Sequence, residues 1–407
     1  MARVQVISLA ERLEANPKYA GKGVVMGFVD SGFFPHADLM KPERRIKAYA
    51  DVTREQPRAE DFFEPHVRSW HGMMTACSAA GNGYRSQGLY RGLAHRAEVV
   101  LIKAAGDQSR ILGKHVASAV RFPLRYPEFG IRILNVSLGV DAKDPDAADV
   151  LHAVREVTEA GITVFAAAGN RPDGAPEPPA SSAHAITVGG STNDNLGAGE
   201  VRRWPSSFGE GEGGVRKPDL LAPAIWVPAP MLPGTPTARE GQALFHLLGI
   251  MEEHSAEHGF SDRHRAAPPD EVESVARVIQ VLAERIKRQK FLSPDYQHVD
   301  GTSFAAPITA SVAAQMLEVD PTLTPPLIRQ ALLETALPFD GVPAEQQGAG
   351  LLQPRAAVEW VLRRRGTRRK LTIAPPAGHK GRRRTDASPA ALSLIAAGTG
   401  PSDGEGH

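Results

Sequence analysis

The chain has 407 residues, is 42% hydrophobic and carries a net charge of +1, which makes it a globular protein with apolar material for one large core or two ordinary ones. Its single cysteine, Cys77, excludes an intrachain disulfide framework. The opening residues, MARVQVISLAERLEANPKYAGKG, hold neither the long apolar run of a membrane span nor the pattern of a signal peptide, so the expected compartment is the cytoplasm.

In chain order, a short helix is expected near 8 to 15, then the apolar run GVVMGFVD, then a small-residue helix following WHG. AEVVLIKA, IRILNVSLG, ITVFAAAGN and AITVGG read as further buried strands, with helices near 112 to 126 and 146 to 160 between them. Continuous apolar runs alternating with helical stretches predict an α/β fold, a mostly parallel central sheet with helices on both faces. Several runs end in polar or glycine residues, as in Asp30-Ser31-Gly32, Asn135 to Gly139 and Gly169-Asn170, and open α/β sheets bind ligands at the carboxyl ends of their strands.

From 231 to about 292 the pattern changes. Leu244, Leu247, Leu248 and Met251 recur at helical spacing, and beyond Pro268-Pro269-Asp270 a second stripe runs Val272, Val275, Ile279, Leu282 and Ile286. The two stripes predict an inserted helical hairpin. The α/β style resumes at YQHVDGTSFAAPITASVAAQML, where Gly301-Thr302 opens a helix carrying Pro307 in its first turns, and a last helix is expected near 353 to 365. The expected organisation is one domain over 1–365 and a flexible basic tail over 366–407. Residues 363 to 384 hold ten Lys or Arg and no acid, so the basic character is local. Without interleaved aromatics this segment reads as a solvated tail rather than a nucleic-acid contact.

Asp30, His71 and Ser303 each sit at a strand end or helix start inside a glycine-flanked string. Taken alone, His71 in WHGMMTACSAAG can be a core histidine, a metal ligand or a general base, and the string by itself favours the core histidine. Together the three offer a serine nucleophile, an imidazole to take its proton and a carboxylate to hold that imidazole. A helix beginning at Ser303 adds free backbone N–H groups for a developing negative charge.

FVDSGFFPHADL, WHGMMTACSAAG and GTSFAAP, in that order, resemble the three signature motifs of the subtilisin-like serine peptidases, the subtilases. The Asp, His, Ser order of that family is a worked example in general treatments of the triad. The resemblance implies that Asp30 orients the base, His71 is the general base and Ser303 the nucleophile. It also implies that Asn170, closing FAAAGN, is the oxyanion donor, that Ser137-Leu138-Gly139 pairs with an extended polypeptide substrate, and that Ala167-Ala168-Gly169 lines the pocket before the scissile bond. Aligning Pro179-Ala180 with the family's Tyr-Pro turn puts Glu177 at the base of that pocket, where a carboxylate would favour Lys or Arg. KPDLLAP and GAGLLQPRAAV look like family framework. The function implied is a serine endopeptidase of the dedicated processing kind, with an inactive, peptide-binding version of the fold as the alternative. The hairpin is then a candidate lid or docking surface for a regulatory protein partner.

The sequence also departs from the family. Met73 and Met74 stand where threonine and histidine are usual, and Cys77 replaces a common glycine; the thiol reads as a small buried hydrophobe. With 29 residues before Asp30, no chaperone-like prodomain is expected, and folding is expected to rely on the N-terminal helix, the hairpin or a separate chain. GNGYRSQGLYRGLAH, where some relatives bind calcium, has no carboxylate, so no calcium site is expected there, and no cofactor is implied. HSAEH, His254 to His258, fits an inverted zinc-peptidase spacing with Glu257 beside the histidines, but Gly259 follows at once and no third ligand is evident. It reads as ordinary accessory helix.

Overall fold

The run Val25–Asp30 is buried at every position because it lies between two layers. Met26 and Phe28 face one apolar cluster, Val25 and Val29 the other. The computed structural model describes residues 7–54, 60–66, 68–106, 110–192, 201–259, 269–338 and 340–371.

Seven strands, β1 (Val25–Asp30), β2 (Ile46–Asp51), β3 (Glu98–Lys103), β4 (Ile131–Val136), β5 (Thr163–Ala167), β6 (Ile186–Thr192) and β7 (Leu220–Pro223), lie in the order β7-β6-β5-β4-β1-β3-β2. All neighbours on this path are parallel, and Arg202–Arg203 adds an antiparallel segment to β6. Strand β2 has no counterpart in the sequence reading, because Lys47 and Asp51 break its apolar run. It pairs at the sheet edge, where Asp51 accepts from Lys103 Nζ at 2.7 Å across the ladder. The chain places β2 and β3 on one side of β1 and β4 to β7 on the other, so the crevice between the carboxyl ends of β1 and β4 is a topological switch point.

Helices cover both faces, as the alternation of runs implied. The main ones are α1 (Ser69–Ala80), α2 (Gly113–Val120), α3 (Ala147–Glu159), α4 (Pro236–Gly259), α5 (Pro269–Arg288), α6 (Thr302–Val319), α7 (Pro325–Thr335) and α8 (Pro354–Leu371). Helices α1, α6, α7 and α8 contribute to the Phe28 layer, α2 and α3 to the Val29 layer. The N-terminal helix is a single turn, Leu9–Arg12, closed by a reciprocal Ser8–Glu11 capping box. The stretch expected as one helix to 126 is divided after Val120, and Pro123 lies in the short second piece, Phe122–Arg125. Helix α8 continues past 365 to Leu371, its buried Val358 and Val361 anchoring a run of good helix formers. Residues 372–407, which hold the remainder of the expected tail, lie outside the described residues.

The insertion is the expected hairpin. Ala238 near the start of α4 and Ile286 near the end of α5 share one small cluster with Met231 and Phe291, so the two helices run antiparallel from a common root. Their flanks, β8 (Val227–Pro230), β9 (Phe291–Ser293) and β10 (Tyr296–Val299), form a small antiparallel sheet. Tyr296 ties this sheet to the main body: fully buried, its hydroxyl donates to the Asp38 carboxylate at 2.7 and 2.9 Å.

Candidate active site

Asp30 is the last residue of β1 and is 1% exposed. A buried carboxylate needs donors, and four converge on it. The backbone N–H of Ser31 reaches Oδ1 at 2.7 Å and its hydroxyl at 3.2 Å; Thr75 Oγ1 reaches Oδ2 at 3.2 Å; His71 Nδ1 lies 2.8 and 3.0 Å from the two oxygens. The proton on Nδ1 therefore points at Asp30 and leaves Nε2 as the basic nitrogen. Burial by itself would pull the imidazole's pKa down, but the charge and hydrogen bond of Asp30 outweigh it and hold it above the ordinary histidine value. The ring is boxed by Trp70, edge-on at 5.2 Å between centroids, and by Phe304 at 5.8 Å.

Helix α1 can approach this closely only because residue 72 is glycine. A Cβ there would stand 2.2 Å from the Gly32 carbonyl oxygen and 2.9 Å from Asp30 Cβ. Thr75, one turn beyond His71, then falls on the same helix face as the imidazole, which is why both reach one carboxylate.

Ser303 is the second residue of α6, so its backbone N–H is among those without a helical acceptor. Pro307, four residues on, has no N–H to give the Ser303 carbonyl. Ser137 Oγ donates to that carbonyl instead at 2.9 Å, while Asn135 Nδ2 donates to Ser137 Oγ at 2.9 Å. The start of the helix is thus pinned to the end of β4. The Ser303 hydroxyl lies 3.5 Å from the Ser137 carbonyl, and no hydrogen bond joins it to His71 among the described residues. Contacts of this kind commonly close only with substrate in place.

Asn170 is oriented by Thr302. Its Oδ1 accepts from the Thr302 backbone N–H at 3.1 Å and from Thr302 Oγ1 at 2.9 Å, which turns Nδ2 outward as a donor. Thr302 Oγ1 also accepts from Gly169 N–H at 3.1 Å. Gly301 has φ +129° and a Cβ added to it would meet Asn170 Nδ2 at 3.4 Å, so a side chain at 301 would crowd the amide. Asn170 Nδ2 is thereby left as a donor beside the first turn of α6.

The remaining expected residues flank these groups. Ser137 is buried, Leu138 half-buried and Gly139 exposed, so accessibility increases along the segment after β4. Across the site Ala168 is held by its N–H to Val188 O at 3.0 Å, with Ala167 and Gly169 half-buried beside it. Glu177 is half-buried with Oε2 near Gly139, and its other carboxylate oxygen accepts from the exposed Arg171 guanidinium. Next to α1 a cavity of about 310 Å³ is lined by Gly32, Phe33, Arg68, Ser69 and Lys103 among others.

The subtilase family model matches residues 21–350. The chain belongs to the subtilase family. Among curated relatives it is 28% identical over 328 residues to the serine protease AprX of Bacillus subtilis, covering 77% of this chain and 61% of that one. It is also 28% identical over 209 residues to the alkaline elastase YaB of Bacillus sp., covering 51% of this chain and 47% of that one. This chain thus spans less than two thirds of either relative. In fold it resembles the prenylagaramide maturation protease PagA, with TM-score 0.53, 18% identity and coverage of 86% and 96%. It also resembles a protease from Pseudoalteromonas arctica, with TM-score 0.57, 20% identity and coverage of 84% and 91%.

In this subtilase the unusual residues after His71 serve packing. Met73 and Met74 are buried in the Phe28 layer, and Cys77 is buried with its thiol pKa pushed up, first by burial and then by Asp38. His36, Asp38 and Cys77 bring candidate ligand atoms within 4.8 Å of one another. These groups already have work: Asp38 accepts from Tyr296, His36 Nδ1 accepts from Asp38 N–H at 3.2 Å, and the Arg45 guanidinium is hydrogen-bonded to Asp38 O. A buried guanidinium beside the cluster opposes a second cation. His254 is half-buried on α4, while the side chains of Glu257 and His258 lie outside the described residues. No described helix is long and apolar enough to cross a membrane. Thr75, Ser31 and Thr302 were missed by sequence reasoning; each is a hydroxyl residue adjacent to, or one helical turn from, a recognised one.

Proposed function

We propose that this subtilase is a serine endopeptidase acting on extended polypeptides. The observation that carries the reading is the 2.8 Å bond from His71 Nδ1 to Asp30, which commits Nε2 to face outward as a base, beside the Asn170 amide oriented by Thr302. A substrate strand lies along Ser137-Leu138-Gly139. Ser303 Oγ attacks the scissile carbonyl carbon as its proton passes to His71 Nε2, and the oxyanion rests between Asn170 Nδ2 and the Ser303 N–H. The imidazolium, balanced by Asp30, returns the proton to the leaving amine, and a water activated by the same nitrogen then frees the acyl group. The reaction as written uses no cofactor.

Fluorophosphonate labelling tests this. The parent protein is expected to label at Ser303, and Ser303→Ala and His71→Ala to lose the label. A parent that does not label while remaining folded would overturn the reading in favour of the peptide-binding alternative.

Glu177 suggests preference for Lys or Arg before the cut. A substrate cation has to displace Arg171 from the carboxylate, so selectivity should rest on both residues. Paired Arg and Leu peptides should differ in kcat/KM, and Glu177→Ala should erase the difference. Equal rates in the parent would remove the idea. A dedicated processing role, of the kind that PagA carries in being a maturation protease, fits a fold with a protruding hairpin suited to docking a protein partner. The cytoplasm is the compartment proposed, in keeping with a lone free cysteine, and cell fractionation checks it.

A further inference from the structure

Ser303 follows a turn, Asp300-Gly301-Thr302, that Asn170 and Ser137 hold from one side. From another side it rests on three residues that belong to no strand. Gly301 N–H donates to Ala224 O at 2.7 Å, and Trp226 N–H donates to Asp300 Oδ1 at 3.0 Å. Residues 224–226 lie between the end of β7 and the start of β8, so they lend the turn only the order they have themselves. Ala224 is tied to β6 by its N–H to Ser191 O at 3.0 Å, but Ile225 and Trp226 lie beyond that tie.

Their order comes from a distant part of the chain. Trp226 has φ +56°, a left-handed conformation that a bulky residue keeps only where its surroundings hold it. One guanidinium takes the two consecutive carbonyls at this bend: Arg12 Nη2 donates to Ile225 O at 2.8 Å and Nη1 to Trp226 O at 2.9 Å. Arg12 ends the single turn Leu9–Arg12 and is only 7% exposed. A guanidinium is costly to bury unless its donors are matched, and its planar fork fixes the orientation as well as the distance of what it grips. Lys290, two residues past α5, lies 4.7 Å from the centre of the Trp226 ring and pairs with Asp300, so the root of the hairpin joins the same clasp.

We propose that Arg12 is a positioning residue for the nucleophile. By gripping residues 225 and 226 it sets the template on which Asp300 and Gly301 lie, and through them the place of Ser303. The kinetic consequence rests on the peptidase reading above; the structural one can be read without hydrolysis.

Arg12→Ala should lower kcat and the rate of fluorophosphonate labelling by about tenfold to a hundredfold, the loss that a displacement of about 1 Å brings, with KM within about twofold of the parent's. Arg12→Lys keeps the charge but not the fork and should fall between, and it carries the same decision if Arg12→Ala does not fold. The pH profile should keep the parent's limb, since neither contact of Arg12 reaches His71 or Asp30. Arg355→Ala is the control: it releases the same N-terminal segment at Glu14, whose carbonyl accepts from Arg355 Nε at 3.1 Å, and should keep the parent's kcat. Amide hydrogen exchange over 300–304 should quicken by about tenfold in Arg12→Ala and stay unchanged in Arg355→Ala. A parent that neither cleaves nor labels sinks the peptidase reading alone, and exchange then decides the clasp. Parent-like kcat or exchange in Arg12→Ala overturns the proposal. An Arg355→Ala protein that loses as much overturns it too, because Arg12 would then be one anchor of the segment among others.

Discussion

Helices α1 and α6 meet over a surface of alanine, glycine, serine and threonine with two methionines, and most of both helices is buried. Helices α4 and α5 meet through leucine, isoleucine and methionine, and leave valines and a leucine in solvent. Small side chains let backbones approach until carbonyl and Cα nearly touch, which fixes the relative placement of two helices to fractions of an ångström. Long branched side chains hold helices further apart and interlock less strictly. The first pair carries His71 and Ser303, whose proposed roles need that exactness; the second leaves apolar side chains uncovered.

The sharpest way to break the comparison is to disturb the catalytic pair without touching its packing. Asp30→Asn should keep the fold yet lower kcat by about 10⁴, the size this change has in triads generally, because the amide no longer holds the reactive tautomer. The pH profile supplies the second readout. In the proposed mechanism activity needs neutral His71, whose pKa Asp30 holds above the ordinary value, so the parent's kcat/KM should rise with pH through an ionisation above about 6.5. With the carboxylate gone only burial remains, and the limb of the residual activity should move to lower pH. The linked stability has the opposite sense: a raised folded pKa stabilises at pH below the unfolded value, and that stability fades as pH rises through the folded one.

Next in size is Gly72→Ala. Its Cβ would lie 2.2 Å from the backbone oxygen of Gly32 and 2.9 Å from Asp30 Cβ, neither of which can yield cheaply. A loss of about 2–3 kcal/mol is expected, despite alanine's better helix propensity, together with a fall in labelling as α1 moves His71 from Asp30. Thermal unfolding and the labelling rate would measure both; an unchanged melting temperature would mean that the close approach is not what positions the base.

Much of this was legible in the sequence for a physical reason. The strings that resemble the subtilase motifs are local: a strand end, a glycine that permits contact, and a proline four residues past the proposed nucleophile each lie within one short segment. What was not legible depends on pairing across the chain. Thr75 and Thr302 are ordinary helix residues until Asp30 and Asn170 are set beside them. Arg171 changes the meaning of Glu177, and no periodicity announces it. Strand β2 was lost because its charges look wrong for a buried strand, though an edge position with Lys103 opposite makes Asp51 acceptable. Apolar spacing foretold the hairpin, but spacing counts apolar positions and says nothing of whether one helix can cover them all.

The smallest effect inverts the Gly72 result. Gly249 sits inside α4 with nothing within 4 Å of an added Cβ, and it lies well around the helix from Leu247 and Ile250. Here alanine removes only the backbone freedom that glycine loses on folding, so Gly249→Ala should stabilise the hairpin by about 1 kcal/mol. Amide hydrogen exchange along α4 is the direct measurement, since the gain is local to the helix and a global melt would dilute it. Slower exchange in α4 with unchanged exchange in α1 is the expected outcome. One substitution would then carry opposite signs in two helices of the same chain, with contact at the added carbon deciding which. Faster exchange in α4 would mean that Gly249 meets a neighbour in solution.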